Sequence, residues 1–156
     1  MKRRTLLAFM LDRPGVLNKV SMLIRRKMYN VDTLTVCSSR IKGISRMTIT
    51  LKEDDPRKVE QVMKQLAKLV EVISVKELDT NNSYWREVAI VKLEIEAARL
   101  DEFHHRYNFE VLDKKSEDMH ILQVAGATGH IDGFLDEIGR ENIIEIARTG
   151  VSAMEK

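Results

Sequence analysis

The sequence is poor in the residues that cross-link, break or loosen a chain. It contains one cysteine, two prolines and seven glycines among 156 residues. The single cysteine, Cys37, excludes a disulfide framework and any cysteine-rich zinc site. The few prolines and glycines, together with 44% hydrophobic residues, exclude a disordered or collagen-like chain. The length instead fits one ordinary globular domain or two small ones.

Long apolar runs are also missing. No run approaches the ~18 residues of a transmembrane helix, so we expect no membrane partner. The basic start, Lys2-Arg3-Arg4, is typical of a signal peptide, but Asp12 and Arg13 end the apolar stretch early and no small-residue cleavage site follows. We therefore expect a cytoplasmic protein.

Aromatic residues are scarce, at 5% of the chain, and the net charge of +2 conceals an asymmetry. Residues 1–78 carry 17 Lys/Arg and 8 Asp/Glu, whereas residues 79–156 carry 9 and 16. This pattern indicates two units with different partners or attraction between neighbouring chains, and scatter of surface charge fits equally well. The basic patches at residues 2–4 and 25–27 lack the aromatic platforms or recognition helix typical of nucleic-acid binders. We expect no nucleic-acid partner.

The first half of the chain alternates between strand-like and helix-like patterns. A buried-strand run at residues 5–11 precedes a helix opened by the motif DRPG, with Asp12 as the expected N-cap and Pro14 in the first turn. Residues 27–30 end this helix, since Asn30 tolerates a left-handed conformation. Two alternating segments then predict a hairpin, the motif EDDP opens a second helix, and residues 70–78 form a closing strand.

This order is that of the split β-α-β unit in ferredoxin-like folds. The polar run at residues 79–83 is the best linker candidate, and the second half repeats the order less clearly. We predict an α+β protein of two tandem ferredoxin-like (βαββαβ) domains: residues 1–78, a linker at 79–85, and residues 86–156. One face of the first sheet, which bears Thr33, Thr35 and Cys37, needs a second sheet or chain as its cover.

The sequence contains no recognisable catalytic or metal-binding constellation. The four histidines, His104, His105, His120 and His130, show none of the common metal-site spacings. The glycine-rich segment at 126–133 matches neither a dinucleotide-binding motif nor a P-loop, and we interpret it as a loop in which Thr128 caps a helix. We predict no catalytic residue, no metal site and no cofactor in this chain.

The two ends of the first helix carry the remaining signal. A helix N-terminus offers N–H groups and partial positive charge to a carboxylate, and Gly15 allows close approach to the backbone. Asn30 offers both a donor and an acceptor. These ends lie far apart in one chain, so only two copies side by side could close them around a small ligand. One interpretation is an amino-acid site between two chains; the other is simply a good helix start and stop.

Several motifs in order along the chain resemble one family. The segments DRPGVLNKV, YNVDTLTV, SRMTIT, KLVEVISV and IIEIARTGVSAM are similar to the regulatory small subunits of acetolactate synthase. The resemblance implies an N-terminal ACT domain that forms a homodimer with its twin and binds valine, or another branched-chain amino acid, between the two copies. By matching motifs, one side of the effector site would be lined by Asp12, Gly15, Val16 and Leu17, and the other by Asn30 and Val31.

The resemblance also implies a role without catalysis. Such a subunit would activate a separate large catalytic subunit and confer valine feedback in the biosynthesis of valine, leucine and isoleucine. The thiamine diphosphate, Mg²⁺ and FAD of the reaction would be held by that large subunit. A free-standing ACT-domain amino-acid sensor is the alternative. Family members usually have a glycine where this chain has Met28, so we expect a different helix ending, or strain, beside Asn30.

Overall fold

The order of strands and helices follows the hydrophobic pattern of the sequence. The computed structural model describes residues 2–156. The first part of the chain contains β1 (Arg3–Leu11), α1 (Val16–Arg26), β2 (Val31–Ser38), β3 (Ile44–Lys52), α2 (Pro56–Leu66) and β4 (Val72–Glu77). The remainder contains β5 (Ser83–Glu94), α3 (Ala97–His104), β6 (Phe109–Lys114), β7 (Met119–Gly126), α4 (Thr128–Ile138), β8 (Ile143–Arg148) and β9 (Ser152–Glu155). Two short 3-10 helices, Thr80–Asn82 and Arg140–Asn142, complete the elements.

The first sheet has the strand order β2-β3-β1-β4, and its paired strands are antiparallel. β1 is a central strand, which explains its unbroken apolar run: Thr5 and Leu7 are buried on one face, and Leu6 and Ala8 on the other. Both helices pack on the Leu6 face. The core between helices and sheet consists of Leu6, Ala8, Met10, Val16, Val20, Ile24, Met47, Ile49, Leu51, Val59, Val62 and Leu66.

The second helix of this unit begins as the sequence predicts. Asp55 is its N-cap, Pro56 is its first residue, and the Asp55 carboxylate accepts a hydrogen bond from Arg57 N–H at 2.9 Å. That backbone hydrogen bond, joined by the charge of Arg57, lowers the pKa of Asp55. The cap fixes the start of α2, whose apolar side then packs against the sheet.

The second sheet repeats the arrangement with the order β6-β7-β5-β8, again antiparallel. α3 and α4 bury one face of it, and Phe134 of α4 is fully buried. The prediction that Thr128 caps α4 is wrong. The N–H groups of His130 and Ile131 both donate to the carbonyl of Ala127, at 2.9 and 3.2 Å, so the helix has Ala127 as its N-cap and Thr128 inside its first turn.

The structural units differ from the predicted boundaries in two places. The first unit comprises Met1–Tyr84 and Val151–Lys156, and the second comprises Trp85–Gly150; Met1 itself lies outside the described residues. The predicted linker is ordered, because Asp79 accepts a hydrogen bond from Asn81 N–H at 2.9 Å and β5 follows directly. The sequence pattern did not predict β9, since four residues are too few for a recognisable alternation.

Candidate functional site

The loop before α1 is held by backbone hydrogen bonds instead of a side-chain cap. Asp12 N–H donates to the Gly43 carbonyl at 2.8 Å. α1 begins at Val16, and its N-cap is Gly15 with a φ of 85°, a left-handed conformation that glycine adopts without steric cost. The predictions that Asp12 caps the helix and that Pro14 lies in its first turn are therefore wrong. The chain needs the turn at Gly15 to enter the helix.

The N-terminus of α1 has the features of an anion site. No side chain caps the helix, and its first turn contains no acidic residue. Apart from its two chain neighbours, none of the residues in the described range 2–156 comes within 4 Å of the position that a Cβ on Gly15 would take, so the space beside the backbone is open. Val16 is buried in the core, whereas Leu17 is 46% exposed. Val16 N–H donates to the Arg13 carbonyl at 3.3 Å, so it is the other N–H groups of the first turn and the positive end of the helix that face accessible space next to an apolar side chain.

The C-terminal end of α1 contains a residue in an unfavourable conformation. Met28 has a φ of 57°. Its N–H donates to the Arg25 carbonyl at 3.0 Å, and Tyr29 N–H donates to the Ile24 carbonyl at 3.3 Å. This is the Schellman arrangement, in which glycine usually occupies the position of Met28. The expected strain is confirmed, and it falls on Met28 and not on Asn30.

A groove of about 570 Å³ lies beside the end of α1 and the start of β2. It is lined by Ser21, Ile24, Arg25, Met28, Tyr29, Asn30, Val31 and Leu34. Two of these residues, Asn30 and Val31, are predicted effector residues. The walls are largely apolar, with a few polar groups at the edge, which is the usual composition of a small-molecule site.

The backbone of Asn30 is fixed while its side chain stays accessible. Its carbonyl accepts a hydrogen bond from Lys52 N–H at 3.2 Å, which joins the start of β2 to the end of β3. The side chain is exposed, and within the part of the chain that the structure describes its amide group makes no hydrogen bond. The amide is therefore available to a ligand as both donor and acceptor.

Asp32 ties the start of β2 to β3 and β1. Its carboxylate accepts a hydrogen bond from Arg3 Nε at 2.7 Å and lies 2.6 Å from Lys52 Nζ. Burial by itself would raise the pKa of Asp32, but the hydrogen bonds and charges of Lys52 and Arg3 outweigh it and lower the pKa. The ionised carboxylate therefore holds in place the strand that begins with Val31, directly after Asn30.

The predicted effector residues form two groups at opposite ends of α1. One group at the helix start consists of Asp12, Gly15, Val16 and Leu17, and none of these lines the groove that contains Asn30 and Val31. A single chain therefore brings each group together separately. It does not close the two groups around one small ligand.

Sequence reasoning missed six residues that line the groove: Ser21, Ile24, Arg25, Met28, Tyr29 and Leu34. Ser21 and Arg25 follow Leu17 at intervals of four along α1, so they lie on the same side of the helix, and this spacing could have found them. Leu34 lies further along β2, beyond Val31. Its place in the groove depends on how the helix packs against the sheet, which the sequence pattern does not specify.

The buried Glu87 of the second unit is paired with Arg148. Glu87 is 2% exposed, and Arg148 donates to its two carboxylate oxygens at 2.8 and 2.7 Å and to Asp132 at 2.7 Å. The hydrogen bond with Glu87 outweighs burial and raises the pKa of Arg148. This cluster is structural, since the guanidinium of Arg148 already hydrogen-bonds both carboxylates.

Other clusters do not have the geometry of a reaction centre. Among residues 2–156, no group of three or more His, Cys, Asp or Glu side chains could hold a metal ion. The buried His120 places its Nε2 3.2 Å from the Ile95 carbonyl, a structural contact. A second, open groove of about 380 Å³ is lined by Glu94, Ile95, Glu96, Arg99, Asp118 and Asn142. Over the same described residues, every helix is too short or too polar to cross a membrane.

Both halves of the chain match models of known protein families. Residues 6–74 match the AHAS small subunit-like ACT domain, and residues 86–156 match the small subunit of acetolactate synthase. A probable acetolactate synthase small subunit from Methanothermobacter thermautotrophicus is 36% identical over 148 residues, which cover 92% of this chain and 87% of that protein. The chain belongs to the acetolactate synthase small subunit family.

Further members of this family agree in sequence and in structure. The acetolactate synthase small subunit of Bacillus subtilis is 29% identical over 157 residues, covering 99% of this chain and 91% of that protein. The crystal structure of the acetolactate synthase small subunit from Thermotoga maritima matches with a TM-score of 0.89 at 30% identity, covering 100% of this chain and 98% of that one. The family resemblance and the α+β fold predicted from the sequence are both confirmed.

Proposed function

We propose that this chain is the regulatory subunit of an acetolactate synthase and that it binds a branched-chain amino acid, chiefly valine, between the ACT units of two copies. The observation that carries the proposal is the chemistry at the two ends of α1. An uncapped helix N-terminus at Gly15 suits an anion, and an apolar groove at Asn30 suits a small aliphatic ligand.

An amino acid without a charged side chain matches these two half-sites. Its carboxylate would accept hydrogen bonds from the N–H groups at the start of one copy's α1. Its ammonium group would donate to the side-chain carbonyl of Asn30 in the other copy. A branched aliphatic side chain would pack on Val31 and Leu34, two apolar walls of the groove. Arg25 is the charged residue among the eight that line the groove.

The exposed edge of the first sheet supports pairing with a second copy. β2 is an edge strand, and Leu34 and Val36 on it are 39% and 41% exposed. Unpaired strand edges with exposed apolar side chains favour association. A two-fold axis beside β2 would place the α1 helices of the two copies antiparallel and side by side, so that Gly15 of each faces Asn30 of the other.

In the proposed mechanism, the binding of valine to the ACT units is thermodynamically linked to the activity of the large subunit. As the small subunit of a synthase, the chain would act on a catalytic large subunit, which would hold thiamine diphosphate, Mg²⁺ and FAD. Valine bound between two ACT units would favour one arrangement of the dimer, and the large subunit would be fully active only with the other. We expect the assembly in the cytoplasm.

The test is a substitution at Gly15. Gly15→Asp places a carboxylate where the ligand carboxylate should bind, so valine affinity should fall by at least ~10-fold, from lost charge-assisted hydrogen bonds and added repulsion. Any side chain at a φ of 85° is strained, so Gly15→Ala is the matched control with the same strain and no charge. Calorimetric titration with valine and activation of the large subunit are measured for both variants.

The comparison between the two variants decides the outcome. We expect Gly15→Asp to bind valine much more weakly than Gly15→Ala while both still activate the large subunit. Equal valine affinities for the two variants would mean that the ligand carboxylate does not lie at the start of α1.

A further inference from the structure

The last six residues, Val151–Lys156, cross the face of the first sheet that carries no helices. We call this segment the C-terminal strap. Three contacts occur in chain order, each on a different strand: Val151 N–H with Thr33 Oγ1 of β2 at 3.4 Å, the Ala153 carbonyl with Arg46 of β3, and Glu155 with Lys76 of β4. Four residues of extended chain span roughly 13 Å, and three strand spacings span roughly 14 Å. The strap therefore runs across the sheet.

The strap belongs to the first unit, and its strand β9 pairs with β5. Val151 and Ala153 are each 2% exposed, whereas Met154 is 65% exposed, so alternate residues face the sheet. On the same sheet face Thr5 and Thr50 are buried and their hydroxyl oxygens lie 2.9 Å apart. The face that the sequence assigned to a second sheet or chain is thus covered in part by the end of this chain.

The strap starts on β2, the strand that begins with the predicted effector residue Val31. Thr33, which accepts the hydrogen bond from Val151, lies two residues after Val31 on β2. β8 of the second unit ends at Arg148, two residues before the strap begins. The second of these two residues is Gly150, with a φ of 78°. The Val151–Thr33 distance of 3.4 Å is at the long end for a hydrogen bond, so a small shift of β2 would strengthen or break it.

We propose that the strap transmits effector occupancy from β2 to the second unit. Ligand contacts at Asn30 and Val31 would fix the position of β2. Through the hydrogen bonds of Thr33 and Arg46, a shift of β2 would move the strap, and the strap would move the end of β8. Thr33 and Arg46 are then positioning residues that touch no ligand. The inference rests on the proposed function, because it needs valine to bind at β2 and to inhibit the assembled enzyme.

The test uses full-length chain assembled with its large subunit. Thr33→Val removes the hydroxyl with little change of shape, and Arg46→Met removes the donor to the Ala153 carbonyl. Arg57→Met is the matched control, since Arg57 is 87% exposed and, among the described residues, forms an ion pair only with Asp55 at the start of α2. Loss of one hydrogen bond corresponds to about a 2- to 12-fold change in the coupling equilibrium. We therefore expect both strap variants to keep more activity at saturating valine than the unaltered chain does, whereas Arg57→Met should be inhibited like the unaltered chain. In the strap variants, valine affinity and activation of the large subunit should stay within ~2-fold of the unaltered chain.

Hydrogen exchange on the unaltered chain gives a second readout that needs no variant. Valine should change the exchange of the Val151 and Ala153 amides. Unchanged exchange there, or normal inhibition at saturation in both strap variants, would overturn the proposal. Failure of the unaltered chain to bind valine or to be inhibited would overturn the proposed function as well. Loss of valine binding in the strap variants would show that the strap shapes the site instead of transmitting its state.

Discussion

Replacing Met28 with glycine should stabilise the protein. Met28 is held at a φ of 57° by the two hydrogen bonds that end α1, and its side chain is 88% exposed, so truncation removes little burial. The left-handed conformation costs an L-residue about 1–2 kcal/mol. Glycine avoids this strain but has a more flexible unfolded state, which offsets about 0.4–1 kcal/mol. The net gain in unfolding free energy should be about 0.5–1 kcal/mol.

The matched control for this prediction is Lys27→Gly, one residue earlier. Lys27 has the ordinary right-handed conformation, with a φ of −93°, so glycine relieves no strain there and should cost about 0.5–1 kcal/mol. Urea unfolding of the unaltered chain and both variants measures the two effects, and the melting temperature of Met28→Gly should rise by about 1–4 °C. The reasoning fails if both glycine variants change stability in the same direction.

Three further outcomes follow from the described contacts. Arg148→Met leaves Glu87, which is 2% exposed, without its partner and should cost about 3–5 kcal/mol in urea unfolding, whereas Glu87→Leu with Arg148→Met should cost much less; equal losses would contradict the pairing. The pKa of Asp32 is lowered on folding, so its contribution is full above its unfolded value of about 3.9 and is lost as pH falls through the lowered folded value. Between about pH 5 and 2 the unaltered chain should lose more unfolding free energy than Asp32→Asn, and parallel pH curves would refute this. Sedimentation without ligand should show a dimer, because the apolar edge at β2 needs a partner, and a stable monomer at micromolar concentration would count against that.

Local patterns predicted most of the fold because their physical causes are local. The alternation in β3 and the apolar stripes of α1 and α2 state directly which side faces the core. The continuous apolar run of β1 indicated a strand buried on both faces, and the structure places it in the middle of the sheet. The cap at Asp55 depends on contacts within three residues, so it too could be predicted.

The errors occur where distant parts of the chain decide the outcome. Asp12 has the composition of an N-cap, but its N–H bonds to Gly43 on the hairpin, and the helix starts later, after Gly15. The strap is only six residues long and is defined by contacts with three strands far away in sequence. Leu34 lines the groove because of the way α1 packs against β2. In contrast, Asn30 and its neighbour in β2 could be placed from the sequence, since the end of a helix and the start of a strand fix their position.

The central claim is that this chain regulates a separate catalytic subunit. The most direct measurement is acetolactate formation by the large subunit, with its cofactors, assayed with and without this chain and with and without valine. We predict no product from this chain alone, higher activity when it is added to the large subunit, and a fall in that activity when valine is present. Turnover by a preparation free of large subunit, or no change in the large subunit's activity on addition of the chain, would contradict the account.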